Sequence, residues 1–153
     1  MSKLFSGMMF AMFIALFGAP AAAAERGTLD EAKVMVKKAR AYIREHGAEK
    51  AFAEISNPAG PFVKGDIYVY VYDKDLKNVA HGGNPRLIGK DLADMRDTDG
   101  KYINRGLHDV AVKGGGTFTF KFLNPATKSI ENKTGYAEME GDWMVGSGAY
   151  TAP

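Results

Sequence analysis

The sequence predicts an α+β domain with a five-stranded antiparallel sheet, two N-terminal helices and a third helix inserted between strands. The prediction rests on a change in hydrophobic period. Residues 28–57 repeat apolar side chains at helical spacing, whereas most apolar segments after residue 65 alternate with a period of two. Short turns separate the last three alternating segments, so these strands are expected to run antiparallel.

The first 24 residues predict an export signal that precedes the folded domain. Lys3 supplies a basic start, residues 4–17 are almost continuously apolar, and a proline is followed by four alanines of the kind that a signal peptidase accepts. The apolar run falls short of the ~20 residues that a membrane-spanning helix needs. We therefore expect cleavage after Ala24, a periplasmic destination, and a mature domain at residues 25–153 that is not inserted in the membrane. Retention of the segment as an anchor is the alternative.

Residues 28–57 predict two N-terminal helices. Thr28 and Glu31 stand three positions apart, as in a capping box where each side chain accepts a hydrogen bond from the other residue's backbone N–H. Gly47 then ends the first helix, because glycine is favoured just past a helix C-terminus. A second helix at residues 48–55 ends before the Asn-Pro pair that follows, since the residue before a proline is forced out of the helical region.

The segment 66–73 predicts a central strand of the sheet. Its aliphatic and aromatic residues alternate, which puts Ile67, Val69 and Val71 on one face and three tyrosines on the other. Because both faces carry large apolar groups, both are expected to be covered. Residues 79–81 form the returning strand of a hairpin.

The remaining elements follow from the turn residues between them. A turn at residues 97–100 precedes a helix over residues 101–112, which three consecutive glycines end. Alternating segments at 117–122, 130–140 and 143–150 then predict three consecutive strands. With the hairpin, these make the five strands of the sheet.

Composition excludes several kinds of chemistry. The chain has 20 basic and 18 acidic residues, or 19 and 18 without Lys3, and so lacks the concentrated positive charge that nucleic acid requires. No cysteine is present, which excludes thiol catalysis, thiolate metal ligands and haem attachment through cysteine. The three histidines are scattered without nearby carboxylates, so we expect neither a metal site nor a cofactor.

Six stretches of the sequence resemble a known family. They lie in order across nearly the whole predicted domain: 47–58 (GAEKAFAEISNP), 65–72 (GDIYVYVY), 80–90 (AHGGNPRLIGK), 97–101 (DTDGK), 124–136 (NPATKSIENKTGY) and 146–150 (GSGAY). The chain resembles the single Cache domain, the extracytoplasmic small-molecule sensor module of bacterial chemoreceptors and sensor kinases. The resemblance implies a PAS-like sheet, a long N-terminal helix, a helical insertion, and a ligand pocket within residues 65–153.

The sequence also departs from the usual arrangement of that family. Members usually sit between two transmembrane helices and feed a cytoplasmic signalling domain, whereas this sequence stops at Pro153, directly after the last predicted strand. The resemblance therefore implies a free periplasmic sensor without its own output domain. A membrane-bound receptor or kinase is the expected partner.

Seven residues are candidates for the ligand site. Tyrosines on one strand face offer apolar rings with hydroxyl tips, and a lysine that reaches into a cleft pairs with a carboxylate. His81, at a strand end, is expected either to donate to a ligand carboxylate or to change protonation with pH. The alternative is a hydrogen bond that pins the following loop. Core packing for the tyrosines and solvation for the lysines are the alternatives. The candidates are Tyr68, Tyr70, His81, Asn84, Lys121, Lys133 and Tyr136.

These residues predict a non-enzymatic binding module for a small organic acid or an amino-acid-like metabolite. The alternative is a structural accessory subunit of a membrane or periplasmic complex, which keeps the fold and binds no ligand. An enzyme would need His81 to work with Asp73 or Asp75, the combination that hints at acid–base chemistry.

Overall fold

The computed structural model describes residues 26–151. The predicted signal peptide at residues 1–24 and its cleavage site lie outside the described residues. Within the described range, none of the helices combines the length and the apolarity needed to cross a bilayer.

Two helices open the described chain as predicted. Helix α1 spans Leu29–His46 and helix α2 spans Ala48–Ile55. Both halves of the capping box are present: the Thr28 hydroxyl accepts from the Glu31 backbone N–H at 3.2 Å, and the Glu31 carboxylate accepts from the Thr28 N–H at 2.8 Å. Gly47 separates the helices with a φ of 81°, a conformation that glycine adopts without steric cost.

The third helix and the strands follow in the predicted order, with two additions. Their bounds are β1 Val63–Lys64, β2 Ile67–Tyr68, β3 Tyr70–Tyr72, β4 Asn78–His81, α3 Ile103–Ala111, β5 Gly116–Leu123, β6 Ile130–Glu140 and β7 Trp143–Thr151. Strand β1 and a single 3-10 turn at Pro85–Leu87 were not predicted from the sequence.

Five strands form one antiparallel sheet in the order β4-β3-β7-β6-β5, which confirms the predicted fold class. The predicted central strand at 66–73 differs in two respects. It lies one position from the edge, with β7 at the centre, and it is divided at Val69. The division arises because the backbone changes partners there: the Val69 N–H donates to the Phe62 carbonyl at 3.0 Å, while its carbonyl accepts from Gly82 at 2.9 Å. Strand β2 therefore pairs with β1, and β3 pairs with β4 and β7.

The sheet has a hydrophobic core on each face, because alternation sorts its side chains. Ile67, Val69 and Val71 pack against the buried side of α1 and α2. The three tyrosines of the same segment belong to a second core beneath α3, with Ile103 and Leu107. The predicted distribution of the aliphatic and tyrosine side chains is thus confirmed, and the tyrosine face carries the candidate site.

A candidate ligand-binding cavity beneath the third helix

A small cavity lies between the tyrosine face of the sheet and α3. Its volume is about 10 Å³, room for about one water molecule. Four of the seven predicted ligand residues line it: Tyr68, Tyr70, His81 and Lys133. The other lining residues are Tyr72, Met95, Ile103, Asn104, Leu107, Phe120 and Phe122.

The ammonium group of Lys133 is the polar centre of this cavity. The side chain is buried on β6, with 1% of the residue exposed. Its Nζ atom lies within 6 Å of four aromatic ring centres, at 3.9 Å (Tyr68), 4.7 Å (Tyr150), 5.4 Å (Tyr70) and 5.8 Å (Phe122). Aromatic ring faces attract cations, so this cage stabilises the charged form of the lysine.

Lys133 has no acidic partner among the residues that the structure describes. Its one hydrogen-bond contact there is with the Tyr150 hydroxyl, at 3.5 Å. Burial lowers the Lys133 pKa to about 7, and the more distant Asp66 carboxylate opposes that shift. Burying an ammonium group without an anion costs several kcal/mol, of which the aromatic cage offsets a part. The cavity therefore holds a cation that an incoming anion would stabilise.

The tyrosine hydroxyls next to Lys133 are hydrogen-bond donors. Tyr150 donates to the Leu123 carbonyl at 2.9 Å, so the 2.8 Å contact between the Tyr68 and Tyr150 hydroxyls uses the Tyr68 proton. Burial raises the pKa values of Tyr68 and Tyr70 well above the ordinary value. Both phenols therefore stay protonated. Tyr68 now donates to Tyr150 and Tyr70 donates to the Ser147 carbonyl at 3.3 Å, so each hydroxyl would exchange that acceptor for an incoming anion.

His81 has the loop-pinning role, and it also lines the cavity. Its Nδ1 atom accepts from the Asn84 backbone N–H at 2.8 Å, which assigns the proton of the neutral ring to Nε2. Burial, and then the positive charge of Lys133, lowers the His81 pKa to about 3. The histidine is thus neutral at physiological pH, and the predicted change of its protonation in that range is wrong. A donor role for Nε2–H remains.

Asn84 lines a larger outer groove rather than the inner cavity. The groove has a volume of about 430 Å³ and shares Tyr68, Met95 and Phe122 with the inner cavity, so these three side chains connect the two spaces. The side-chain oxygen of Asn84 accepts from the Arg86 backbone N–H at 3.2 Å, which caps the 3-10 turn at the edge of the groove.

Lys121 and Tyr136 lie outside the cavity, on the opposite face of the sheet. Side chains alternate along a strand, so residues 121 and 136 cannot share a face with Phe120 and Lys133. Lys121 instead forms a 2.9 Å ion pair with Asp99. The Tyr136 hydroxyl donates to Glu138, which is itself paired with Arg40 of α1. These two placements correct the candidate list, and the period of the strands could have excluded both residues.

The overall match identifies the family. The family model described as single Cache domain 2 matches residues 10–152. The chain belongs to this family. It is therefore a Cache sensor domain, homologous to the ligand-binding domains of chemoreceptors and histidine kinases, and the resemblance inferred from the sequence is confirmed.

Similar proteins agree with that assignment. The sensor histidine kinase MctS of Rhizobium johnstonii is 32% identical over 87 residues, which cover 56% of this chain and 19% of the kinase. A methyl-accepting chemotaxis protein structure from Vibrio parahaemolyticus has a TM-score of 0.68 and 29% identity, covering 79% of this chain and 86% of that one. A structure described as the structural basis for carboxylic acid recognition by a Cache chemosensory domain has a TM-score of 0.66 and 24% identity, covering 80% and 92%. The chain spans less than a fifth of the length of curated relatives such as MctS.

Sequence reasoning missed several residues of this Cache site, both in the ring cage around Lys133 and in the cavity lining. Tyr150 pairs with Lys133 across β6 and β7, and paired residues share a face, so the strand register would have revealed it. Asn104, Leu107 and Met95 come from α3 and the loop before it, and no local pattern shows that this helix covers the tyrosine face. Their contribution depends on tertiary packing.

Proposed function

We propose that this Cache domain is a periplasmic sensor of a small carboxylate-bearing metabolite, which binds at Lys133. The observation that carries the proposal is the buried ammonium group without an acidic partner among residues 26–151, in a cavity lined by hydroxyl and imidazole donors. An anion that enters this space would pair with the charge and recover the electrostatic energy that burial removes.

The geometry around Lys133 suits a singly charged carboxylate group better than a small anion that carries two or more charges. Beside the single ammonium group stand the neutral donors of Tyr68, Tyr70 and His81, with apolar walls from Phe120 and Leu107. One cation and a few neutral donors match one negative charge spread over two oxygens, and apolar walls accept a short carbon chain. The carboxylic acid recognition described for one structural relative is compatible with this proposal.

The proposed role is sensory and not catalytic. His81 uses Nδ1 to hold the Asn84 N–H, while the Asp73 carboxylate accepts from the backbone N–H groups of Asp75 and Lys77 in the hairpin turn. The imidazole and the carboxylate thus have separate structural partners, which does not favour an acid–base pair. A membrane-bound receptor or kinase would read the liganded state, by analogy with relatives that are chemotaxis receptors and histidine kinases.

A thermal-shift screen of short carboxylates, such as acetate, propionate, pyruvate and lactate, tests the proposal. At about a hundred times Kd, a ligand specific for the folded state adds about 2.7 kcal/mol and raises Tm by roughly 5–10 °C. Lys133→Met should abolish the shift without unfolding the protein, since an apolar side chain of similar length replaces a buried charge. Lys121→Met is the matched control, because Lys121 lies on the other sheet face, and it should keep the full shift.

The second candidate function, an accessory subunit without a ligand, is favoured by one observation: the inner cavity has room for only about one water molecule. The screen separates the two functions. No shift with any carboxylate in the wild-type protein would support the accessory role. A shift that persists in Lys133→Met would instead show binding away from Lys133 and would overturn the proposed site.

A further inference from the structure

The small inner cavity and the larger outer groove together suggest what kind of carboxylate is bound. The inner cavity cannot hold a complete ligand without movement, whereas the groove beyond Tyr68, Met95 and Phe122 offers about 430 Å³. A ligand whose carboxylate reaches Lys133 would therefore extend its remaining atoms into the groove. The chemistry of the groove then decides what the far end of the ligand should be.

The groove is lined by apolar residues and by two positively charged ones. Leu87, Leu123 and Pro125 supply apolar surface, and Leu123 is 46% exposed. Arg86 and Lys128 are the charged residues that line the groove, and no acidic residue lines it. Neither cation forms an ion pair with a carboxylate among residues 26–151. Both charges are therefore available to an anion.

Arg86 is presented by a loop that is fixed to the inner cavity. It belongs to the 3-10 turn that Asn84 caps, and the Asn84 N–H donates to His81, a lining residue of the cavity. The position of the arginine backbone is thus linked by two hydrogen bonds to the site of Lys133. The backbone at Arg86 is therefore more precisely positioned than the backbone of an unanchored surface loop would be.

Lys128, the second cation of the groove, is held by a strained and anchored turn. Its φ is 61°, in the left-handed region that a non-glycine residue adopts only at an energetic cost. The turn keeps this conformation because the fully buried Asn124 fixes it: the Lys128 N–H donates to the Asn124 carbonyl at 2.8 Å, and the Asn124 side chain donates to Glu131 at 3.0 Å.

We propose that Arg86 and Lys128 form a second anion subsite at the mouth of the cavity, so that the ligand is a dicarboxylate with one end at Lys133 and the other in the groove. This inference rests on the proposed function, since it needs the first carboxylate at Lys133. The apolar residues of the groove fit the carbon chain between the two charges. Because the two cations lie on different loops, a bound ligand would also connect these loops.

Titration calorimetry with matched acids tests the subsite. The probes are the unbranched dicarboxylates from succinate to suberate and the monocarboxylates of equal chain length. We expect the best dicarboxylate to bind about tenfold or more tightly than its monocarboxylate partner, since it adds a charge-assisted contact. Arg86→Gln and Lys128→Gln should each weaken dicarboxylate binding by about fivefold and leave the monocarboxylate unchanged. Lys113→Gln, a surface lysine just after α3, is the control.

The outcomes separate this inference from the proposed function. Equal affinity for matched mono- and dicarboxylates, with both dependent on Lys133, would overturn the second subsite and keep the first. Dicarboxylate binding that survives Lys133→Met would overturn both. Loss of dicarboxylate binding in a Gln variant supports the subsite only if the Tm of the variant matches that of the wild-type protein. A variant with a lowered Tm is replaced by Arg86→Lys or Lys128→Arg, which keeps the positive charge and should keep the dicarboxylate affinity.

Discussion

Burial lowers the pKa values of two basic side chains in the cavity, His81 and Lys133, but by different amounts. His81 is neutral, with Nδ1 committed to the loop and a pKa lowered to about 3. Lys133 has a pKa lowered only to about 7, and its cage of rings stabilises the charged form. Near neutral pH, the lysine is therefore the group of this pair whose charge a ligand can change.

This difference predicts a pH dependence of ligand binding. A carboxylate next to Lys133 favours the ammonium form, so the bound state holds more protons than the free state above the free pKa of about 7. Affinity should then be constant below about pH 7 and fall above it, by at most tenfold per pH unit. The other groups facing Lys133 are His81, Tyr68, Tyr70 and Tyr150, which stay neutral across this range. Calorimetry from about pH 6 to about pH 9 gives the profile.

Lys133→Arg is the control for this prediction. Arginine stays charged throughout the range, so any binding that the variant retains should not change with pH. A wild-type affinity that is equally constant up to about pH 9 would show that Lys133 is fully charged in the free protein, and would contradict the prediction.

At the residue scale, the sequence predicted the strand-borne part of the site. The tyrosine face follows from alternation along the strand, and Lys133 was a candidate because the family resemblance makes its strand a plausible pocket wall; these residues line the cavity. The same rule, applied between strands, would have excluded Lys121 and Tyr136. Burial of Lys133 could not be predicted, because lysines on strands are usually solvated and only the packing of α3 over the sheet removes this one from water.

At the element scale, the cavity depends on the lack of a side chain on the central strand. Gly146 of β7 pairs with Tyr70 of β3, and a Cβ atom at residue 146 would lie 2.3 Å from the Tyr70 ring. The ring therefore lies directly over the β7 backbone. A larger residue at this position would push the tyrosine towards Lys133 or out of the cavity.

Gly146→Ala should destabilise the protein and weaken ligand binding. Overpacking of a filled core costs about 1–3 kcal/mol, and a displaced Tyr70 would no longer support Lys133. Urea unfolding measures the first effect and calorimetry the second. In a Tyr70→Leu background the same change should cost clearly less, because the clashing ring is gone. Equal costs in the two backgrounds would show that the clash is relieved elsewhere.

Local sequence patterns predicted most helices and strands, but not the division of one strand segment into β2 and β3. The helices, the hairpin and the last three strands follow from caps, turns and alternation, and their bounds agree with the structure to within one or two residues. The division of the segment 66–73 at Val69 was not predictable, because it results from hydrogen bonds to Phe62 and Gly82 that lie outside the segment. Both partners are brought there only by the complete fold.

At the scale of the whole molecule, a buried polar cluster joins the start of α1 to the turn before β6. Arg26 forms an ion pair with Glu131 at 2.7 Å, and Asn124 donates to both Glu131 and Asp66. Asp66 in turn accepts from the Gly27 backbone N–H at 2.8 Å. The cluster stands next to the Lys128 turn and to the strand that carries Lys133, so it links the N-terminal helix to the candidate site.

The buried groups predict how the stability of the whole domain depends on pH. The unfolded chain protonates His81 near pH 6.5, whereas the folded chain does so near pH 3, so the stability contributed by the neutral histidine is lost as the pH falls through that window. Glu131, whose pKa is lowered to about 2 chiefly by the hydrogen bond from Arg26, loses its contribution from about pH 4.5 downwards. Lys133, whose pKa burial lowers from 10.5 to about 7, makes stability rise with pH between those two values. On the acid side, the free energy of unfolding should fall below about pH 6.5, with a slope approaching 1.4 kcal/mol per pH unit.

Urea unfolding followed by the fluorescence of Trp143, the single tryptophan, measures this dependence, since its ring packs edge-on against Phe52 at 5.0 Å in the folded state. His81→Gln removes the titrating group and keeps a hydrogen-bonding side chain, so it should flatten the curve between about pH 6.5 and about pH 5 and leave the more acidic fall in place. A wild-type curve that stays flat down to about pH 4.5 would mean that the folded protein protonates His81 as easily as the unfolded chain does. The imidazole would then have access to water, and the enclosed cavity that positions Lys133 would have to be open in solution.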